Sequence, residues 1–136
     1  MSSPIDLPSP AHSHRAAPPR FFGLMKATSV FVAVTMLVQG ITAGQLLSNE
    51  DGRGLHEVMG SLVTISLLLQ IIAAVLVWRV GRGSARYLGF SALLLVLTSL
   101  QFAVGTNGNV AVHVPLGVAL FGGGAVLVTR VWSAHA

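Results

Sequence analysis

The sequence predicts an all-α membrane protein, a bundle of four transmembrane helices running up-down-up-down. Three observations predict it. Apolar residues make up 53% of the 136-residue chain, against eight Lys and Arg and four Asp and Glu, and a mean hydropathy of +0.77 is too high for an ordinary water-soluble domain. The apolar residues fall into four segments, each near the roughly 20 residues a helix needs to cross a bilayer core. The connections between segments are short and polar, so successive helices must run antiparallel. A bundle of this kind satisfies every backbone group inside its own helix, as the hydrocarbon core demands.

The elements follow in order. Residues 1–20 carry Pro4, Pro8, Pro10, Pro18 and Pro19 among serines and alanines, which predicts a disordered tail. His12 and His14 in this tail read as solvated. The first helix is expected over about 27–47; its apolar run is too long and starts too late for a cleaved secretory signal. The second is expected over 55–78, after the polar stretch Ser48 to Gly54. The third, over 87–105, follows the glycine and arginine of Arg79 to Arg86, and the fourth, over 110–132, follows a Thr106-Asn107-Gly108-Asn109 turn.

Charge sets the expected orientation. Arg15, Arg20, Lys26, Arg79, Arg82, Arg86 and Arg130 all fall on one side of the four segments, leaving Arg53 alone on the other. Positive residues concentrate on the cytoplasmic side, so both termini are expected in the cytoplasm of a multi-pass plasma-membrane protein. Trp78, Tyr87 and Trp132 mark the same boundary. The net charge of +4 thus reflects topology and anionic lipid rather than nucleic acid. Seven arginines to one lysine in an Ala, Gly, Val and Leu background points to a bacterial genome rich in G and C.

Two pentapeptides carry the functional signal. His56-Glu57-Val58-Met59-Gly60 and His113-Val114-Pro115-Leu116-Gly117 open the second and fourth segments, each with a glycine four residues after its histidine. That spacing places the histidine and glycine on one helical face, where the glycine leaves room for a flat group against the backbone. Helices two and four run in the same direction, so the two histidines are expected at similar depth and facing each other. Neutral imidazoles from two helices suit the axial positions of a haem iron, and ionisable groups inside a membrane invite a functional reading. Haem b is the expected cofactor, held by His56 and His113, with Gly60 and Gly117 packing on the porphyrin and Arg53 near the propionates. With both iron positions filled, such a site favours electron transfer or haem handling over oxygen binding.

The pattern extends to glutamines. Gln45 precedes His56 by eleven residues and Gln101 precedes His113 by twelve, with Gly44 and Gly105 nearby. Two related helical hairpins are implied, in which each glutamine steadies the second nitrogen of a histidine. Gln39 lies deeper and reads as a separate buried polar group. Gly40 and Gly44 form a small-xxx-small pair expected to pack within the bundle.

In helix count, histidine placement and the small residues that follow each histidine, residues 27–132 resemble one four-helix half of haem A synthase and, more broadly, the four-helix membrane cytochromes b. The resemblance implies ligation of haem by His56 and His113. That family keeps a glutamate three residues before the first histidine, where this chain has Arg53, so the synthase reaction is not carried over. Two copies joined as a homodimer would supply the missing half.

Other chemistries find little support. The chain has no cysteine, which excludes thiolate metal sites, Fe–S clusters and disulfides. Only two membrane histidines, with Glu57 beside one and Met59 on a neighbouring face, make copper or zinc a poorer expectation than haem. No phosphate loop, nucleophile triad or dinucleotide fingerprint occurs, and no self-contained enzyme is expected. The carboxylates Glu50, Asp51 and Glu57 beside His56 admit proton-coupled chemistry on a quinone or electron exchange with a redox partner protein. The contrasting reading is a non-catalytic four-helix membrane subunit or assembly partner without cofactor, whose histidines serve the fold alone.

Overall fold

The structure, a computed structural model, describes residues 17–48 and 52–134. Four helices form in chain order, α1 (Phe22–Ser48), α2 (Arg53–Arg79), α3 (Arg86–Thr106) and α4 (Val110–Ser133). Each is long and apolar enough to cross a membrane. α1 packs on α2 and α4, and α3 packs on the same two helices, so α1 faces α3 and α2 faces α4 across the diagonals of a square. The chain is therefore an all-α, up-down-up-down bundle of a multi-pass membrane protein. The His12 and His14 pair and the carboxylates Glu50 and Asp51 lie outside the described residues.

Most hydroxyl residues within these spans bond back to their own helix, though Thr98 Oγ1 is buried without a partner. Thr35 Oγ1 donates to the Phe31 and Val32 carbonyls, which leaves its oxygen to accept from Ser66 Oγ, while Ser91 Oγ donates to Tyr87 and Ser99 Oγ to Leu95. A group so satisfied costs little in hydrocarbon. Three threonines spaced by seven, Thr28, Thr35 and Thr42, then share the face of α1 that meets α2. Thr28 bonds Gln70, Thr35 bonds Ser66, and Thr42 bonds His56. Polar contacts of this kind join membrane helices where lipid supplies no hydrophobic drive.

The core is concentrated away from the histidines. Phe22, Met25, Val77, Tyr87 and Val131 are buried at the basic end, and Val32, Leu67, Ala73, Ala74, Leu94 and Leu127 continue the core to mid-membrane. On α3 burial stops at Thr98, and on α4 it begins at Leu120. Residues 99–106 and 110–119 include none that is buried. At mid-membrane a glycine run lets α4 approach its neighbours: a Cβ on Gly123 would stand 2.7 Å from Leu94 Cδ2, and one on Gly124 2.9 Å from Met36 Sδ.

Several expectations are refined. α1 starts at Phe22 rather than 27, because Phe22 and Met25 pack into the core beside Tyr87 while hydropathy registers only the lipid-spanning run. The packed region begins at Pro19 rather than at residue 21: Pro19 and Arg20 lie against the α2–α3 loop, so closely that a Cβ on Gly81 would sit 2.6 Å from the Arg20 carbonyl. Tyr87 is buried edge-on against Phe22, with ring centres 6.1 Å apart, whereas Trp78 and Trp132 are exposed in the manner of interfacial aromatics. Gly40 and Gly44 face outward with nothing within 4 Å of an added Cβ, so they do not pack within the bundle. Between α3 and α4, Gly108 takes the left-handed conformation (φ +70°) and Asn109 Oδ1 caps α4 by accepting from the Val112 amide.

Candidate haem-ligand site

His56 and His113 occupy equivalent places. Each is the fourth residue of its helix, on α2 and α4 respectively, so the two helix starts set both side chains at the same end of the bundle. Across the α2–α4 diagonal their ring centres are 6.2 Å apart, with the planes at 66°. Groups of three or more His, Cys, Asp or Glu side chains able to hold a metal are absent among the described residues.

Hydrogen bonds fix which nitrogen of each ring carries the proton. The Thr42 hydroxyl donates to the Gln39 carbonyl at 3.0 Å, so its oxygen accepts from His56 Nδ1–H at 3.2 Å. His56 Nε2 then holds a lone pair, toward which the Gln39 side-chain amide donates at 3.1 Å. His113 Nδ1 faces the Gln101 carbonyl at 3.1 Å; a carbonyl only accepts, so Nδ1 again carries the proton and Nε2 the lone pair. Both imidazoles are thus held by an Nδ1–H bond to oxygen, the arrangement in which histidine presents Nε2 to a metal.

The flanking residues divide into those drawn into this cluster and those left out. Gln101 is drawn in, though its amide Nε2 donates at 2.7 Å to the His113 main-chain carbonyl rather than to a ring nitrogen. Gly60 and Gly117 both face inward. A Cβ on Gly60 would meet Phe102 Cζ at 3.0 Å, and one on Gly117 would meet Gln101 Nε2 at 3.0 Å. Arg53 is exposed on the first turn of α2, at the rim of the same end. Gln45 is left out: it lies on the exposed side of α1, and the glutamine bonded to His56 is Gln39. Six residues separate the two glutamines, which turns them to different faces of a 3.6-residue helix.

Gly105 is the residue whose role the sequence did not specify. The His113 ring lies flush on the α3 backbone there, so a Cβ on Gly105 would fall 2.7 Å from His113 Cε1 and 2.9 Å from Nδ1. Gln39, expected only as a separate buried polar group, Thr42 and Phe102 were also not anticipated at this site. The first two carry a sequence signal, since Thr35, Gln39 and Thr42 are spaced by four and three and make one polar face on an otherwise apolar helix. Two buried acceptors beside the histidines, Gln39 Oε1 and Gln101 Oε1, have no hydrogen-bond partner. Gln70 Nε2 and Thr98 Oγ1, away from the histidines, are likewise buried without a partner. No protein-family model, curated protein or solved structure matches the chain.

Proposed function

We propose that the chain is a membrane haem protein in which His56 and His113 are the two axial ligands of one haem b. The observation that carries this reading is the paired geometry of the imidazoles. Two nitrogens bound to one metal on a straight axis, at about 2 Å per bond, set the ring centres about 6 Å apart, and the observed separation is 6.2 Å. Both rings also keep Nε2 free of a proton. The donor set therefore suits haem iron, and the absence of buried residues along 99–106 and 110–119 supplies the thin packing that a large flat group needs.

The surrounding residues divide the remaining work. Gly60 and Gly117 keep side chains off the helix faces one turn beyond each ligand. Phe102 and Gln101 lie against those glycines and must turn aside to admit the group; Phe102, 43% exposed, has lipid to turn into. A metal held by His56 would take the place of the Gln39 amide at Nε2, with Thr42 still bonded to Nδ1. Arg53 at the rim is suited to the propionate charges. Haem held by both histidines would supply a one-electron iron couple for electron transfer or haem handling. A quinone or a redox protein is the matching partner class, and the basic end of the bundle is the cytoplasmic one.

Absorption spectroscopy tests this directly. The protein purified from haem-replete cells is expected to be red, with a Soret band lost in both His56→Ala and His113→Ala. A colourless wild-type protein would sink the reading. One observation favours the other use of the histidines: each ring bonds its helix to a neighbour, α2 to α1 and α4 to α3. On that reading both variants lower stability while the wild type carries no chromophore. Reporter fusions at either terminus check the orientation, and periplasmic activity at one of them would contradict it.

A further inference from the structure

The basic end of the bundle holds a second site, independent of the histidines. Arg20, Lys26, Arg79, Arg82, Arg86 and Arg130 gather there, and the one acidic side chain among the described residues, Glu57, stands in the second turn of α2 at the far end. None of the six therefore has a carboxylate partner among the described residues. Five of them lean instead on aromatic faces: Arg20 on Phe21 at 5.7 Å, Lys26 on Trp132 at 5.0 Å, Arg79 on Trp78 at 4.7 Å, Arg86 on Tyr87 at 4.8 Å and Arg130 on Phe90 at 5.1 Å. A guanidinium stacked in this way still has its edge N–H groups to donate.

Two of these arginines share a cavity. Between α3 and α4, a space of about 240 Å³ is lined by Arg86, Tyr87, Phe90, Leu127 and Arg130. Its floor is core, since Tyr87 and Leu127 are buried, and its mouth is charged, since both arginines are exposed. Arg86 donates to the Tyr87 hydroxyl at 2.7 Å, and that hydroxyl's own proton has no acceptor among the described residues. The cavity thus presents two guanidinium edges and the free proton of a phenol, with no anionic side chain among its lining residues. Toward mid-membrane the same helix faces continue as Leu93, seven residues after Arg86, and Val126, four before Arg130, both lipid-exposed. A ligand filling this site carries negative oxygens at the interface and an apolar tail running inward.

We infer that the α3–α4 cavity binds the phosphodiester of an anionic phospholipid, with Arg86, Arg130 and the Tyr87 hydroxyl donating to its oxygens and an acyl chain lying along Leu93 and Val126. The two arginines act by charge and by planar donor geometry. Phe90 and Leu127 set the depth of the headgroup by blocking entry to the core.

Native mass spectrometry of the full-length, delipidated protein tests the site, with phosphatidylglycerol, phosphatidylcholine or inorganic phosphate added back. Phosphatidylglycerol is expected to bind about tenfold or more tightly than phosphatidylcholine, and the double variant R86Q/R130Q to lose about tenfold or more of that affinity. R79Q/R82Q, with the same charge removed from the same end, is expected to stay within about twofold, and Tyr87→Phe to lose about threefold while keeping its ring contact. Circular dichroism verifies that the variants remain helical. Equal losses in the two double variants would mean diffuse attraction and overturn the site. Equal binding of phosphatidylcholine, or displacement of the lipid by inorganic phosphate, would overturn the choice of occupant.

Discussion

The two ends of this bundle are built on opposite rules. At the basic end four helices close on Phe22, Met25, Val77, Tyr87 and Val131, and the cations lie outside on aromatic rings. At the histidine end the apolar packing gives out on α3 and α4, and polar groups of α1 and α2 point inward. The difference teaches where close packing and inward polar groups separate. A membrane bundle gains cohesion from close van der Waals contact, so its tight end can hold the helices while its loose end carries groups that close packing would exclude.

Substitutions at the two ends sharpen this contrast. The largest expected effect is Leu67→Ala in the enclosed core, a loss of about 2–3 kcal/mol, read from the unfolding midpoint in mild detergent. Phe102→Ala removes a larger side chain at the open end and is expected to stay within about 1 kcal/mol, because that ring is half exposed. A comparable loss from both would erase the distinction between the ends.

Next comes Gly105→Ala. Its new methyl displaces the His113 ring, with an expected cost of about 1–2 kcal/mol and, on the proposed haem reading, a weakened or shifted Soret band, whereas Gly44→Ala leaves both unchanged. Gln39→Leu is expected to cost about 1 kcal/mol by removing the amide that meets His56; Gln45→Leu should stay within about 0.5 kcal/mol. An equal response at Gln45 would restore the duplicated-hairpin assignment of the glutamines. The smallest effect is Thr35→Val, about 0.6 kcal/mol for the lost Ser66 bond, resolved by pairing it with Ser66→Ala in a double-mutant cycle.

The hairpins themselves are only partly alike. His56 is held by two side chains of α1, whereas His113 is held by the main chain of α3 and needs a glycine there. Similar pentapeptides thus open helices that grip their neighbours differently. The burial of the four spans follows the same division: 44% of the apolar stretch of α2 is buried, against 22% for α1 and 17% each for α3 and α4. The α1–α2 seam carries the threonine ladder, so it orders the bundle; the α3–α4 half carries the cavity at one end and the open faces at the other.

Much of this was legible in the residues because membrane insertion is governed by local composition. Apolar run lengths specified four helices, glycine and asparagine specified the turns, and the shared position of His56 and His113 near their helix starts specified a common depth. The glutamine assignment was not legible in the same way. Gln45 matched Gln101 by distance along the chain, but contact depends on which face of α1 turns toward α2, and that is set by the rotation of the whole helix. The seven-residue threonine spacing holds that information only once a partner is known. Likewise Gly105 looked like a repeat marker, and only the approach of the His113 ring gave it a steric reason.

What the sequence by itself determined, then, is the class of fold, the number of spans, the segregation of charge and the identity of the two histidines, all consequences of the period and polarity of short segments. Only the tertiary structure decided that the rings stand 6.2 Å apart across a diagonal, that Gln39 rather than Gln45 meets His56, and that Arg86 and Arg130 share one cavity. These depend on helix rotation and interaxial distance, which arise from side chains of different helices packing together and which no single segment encodes.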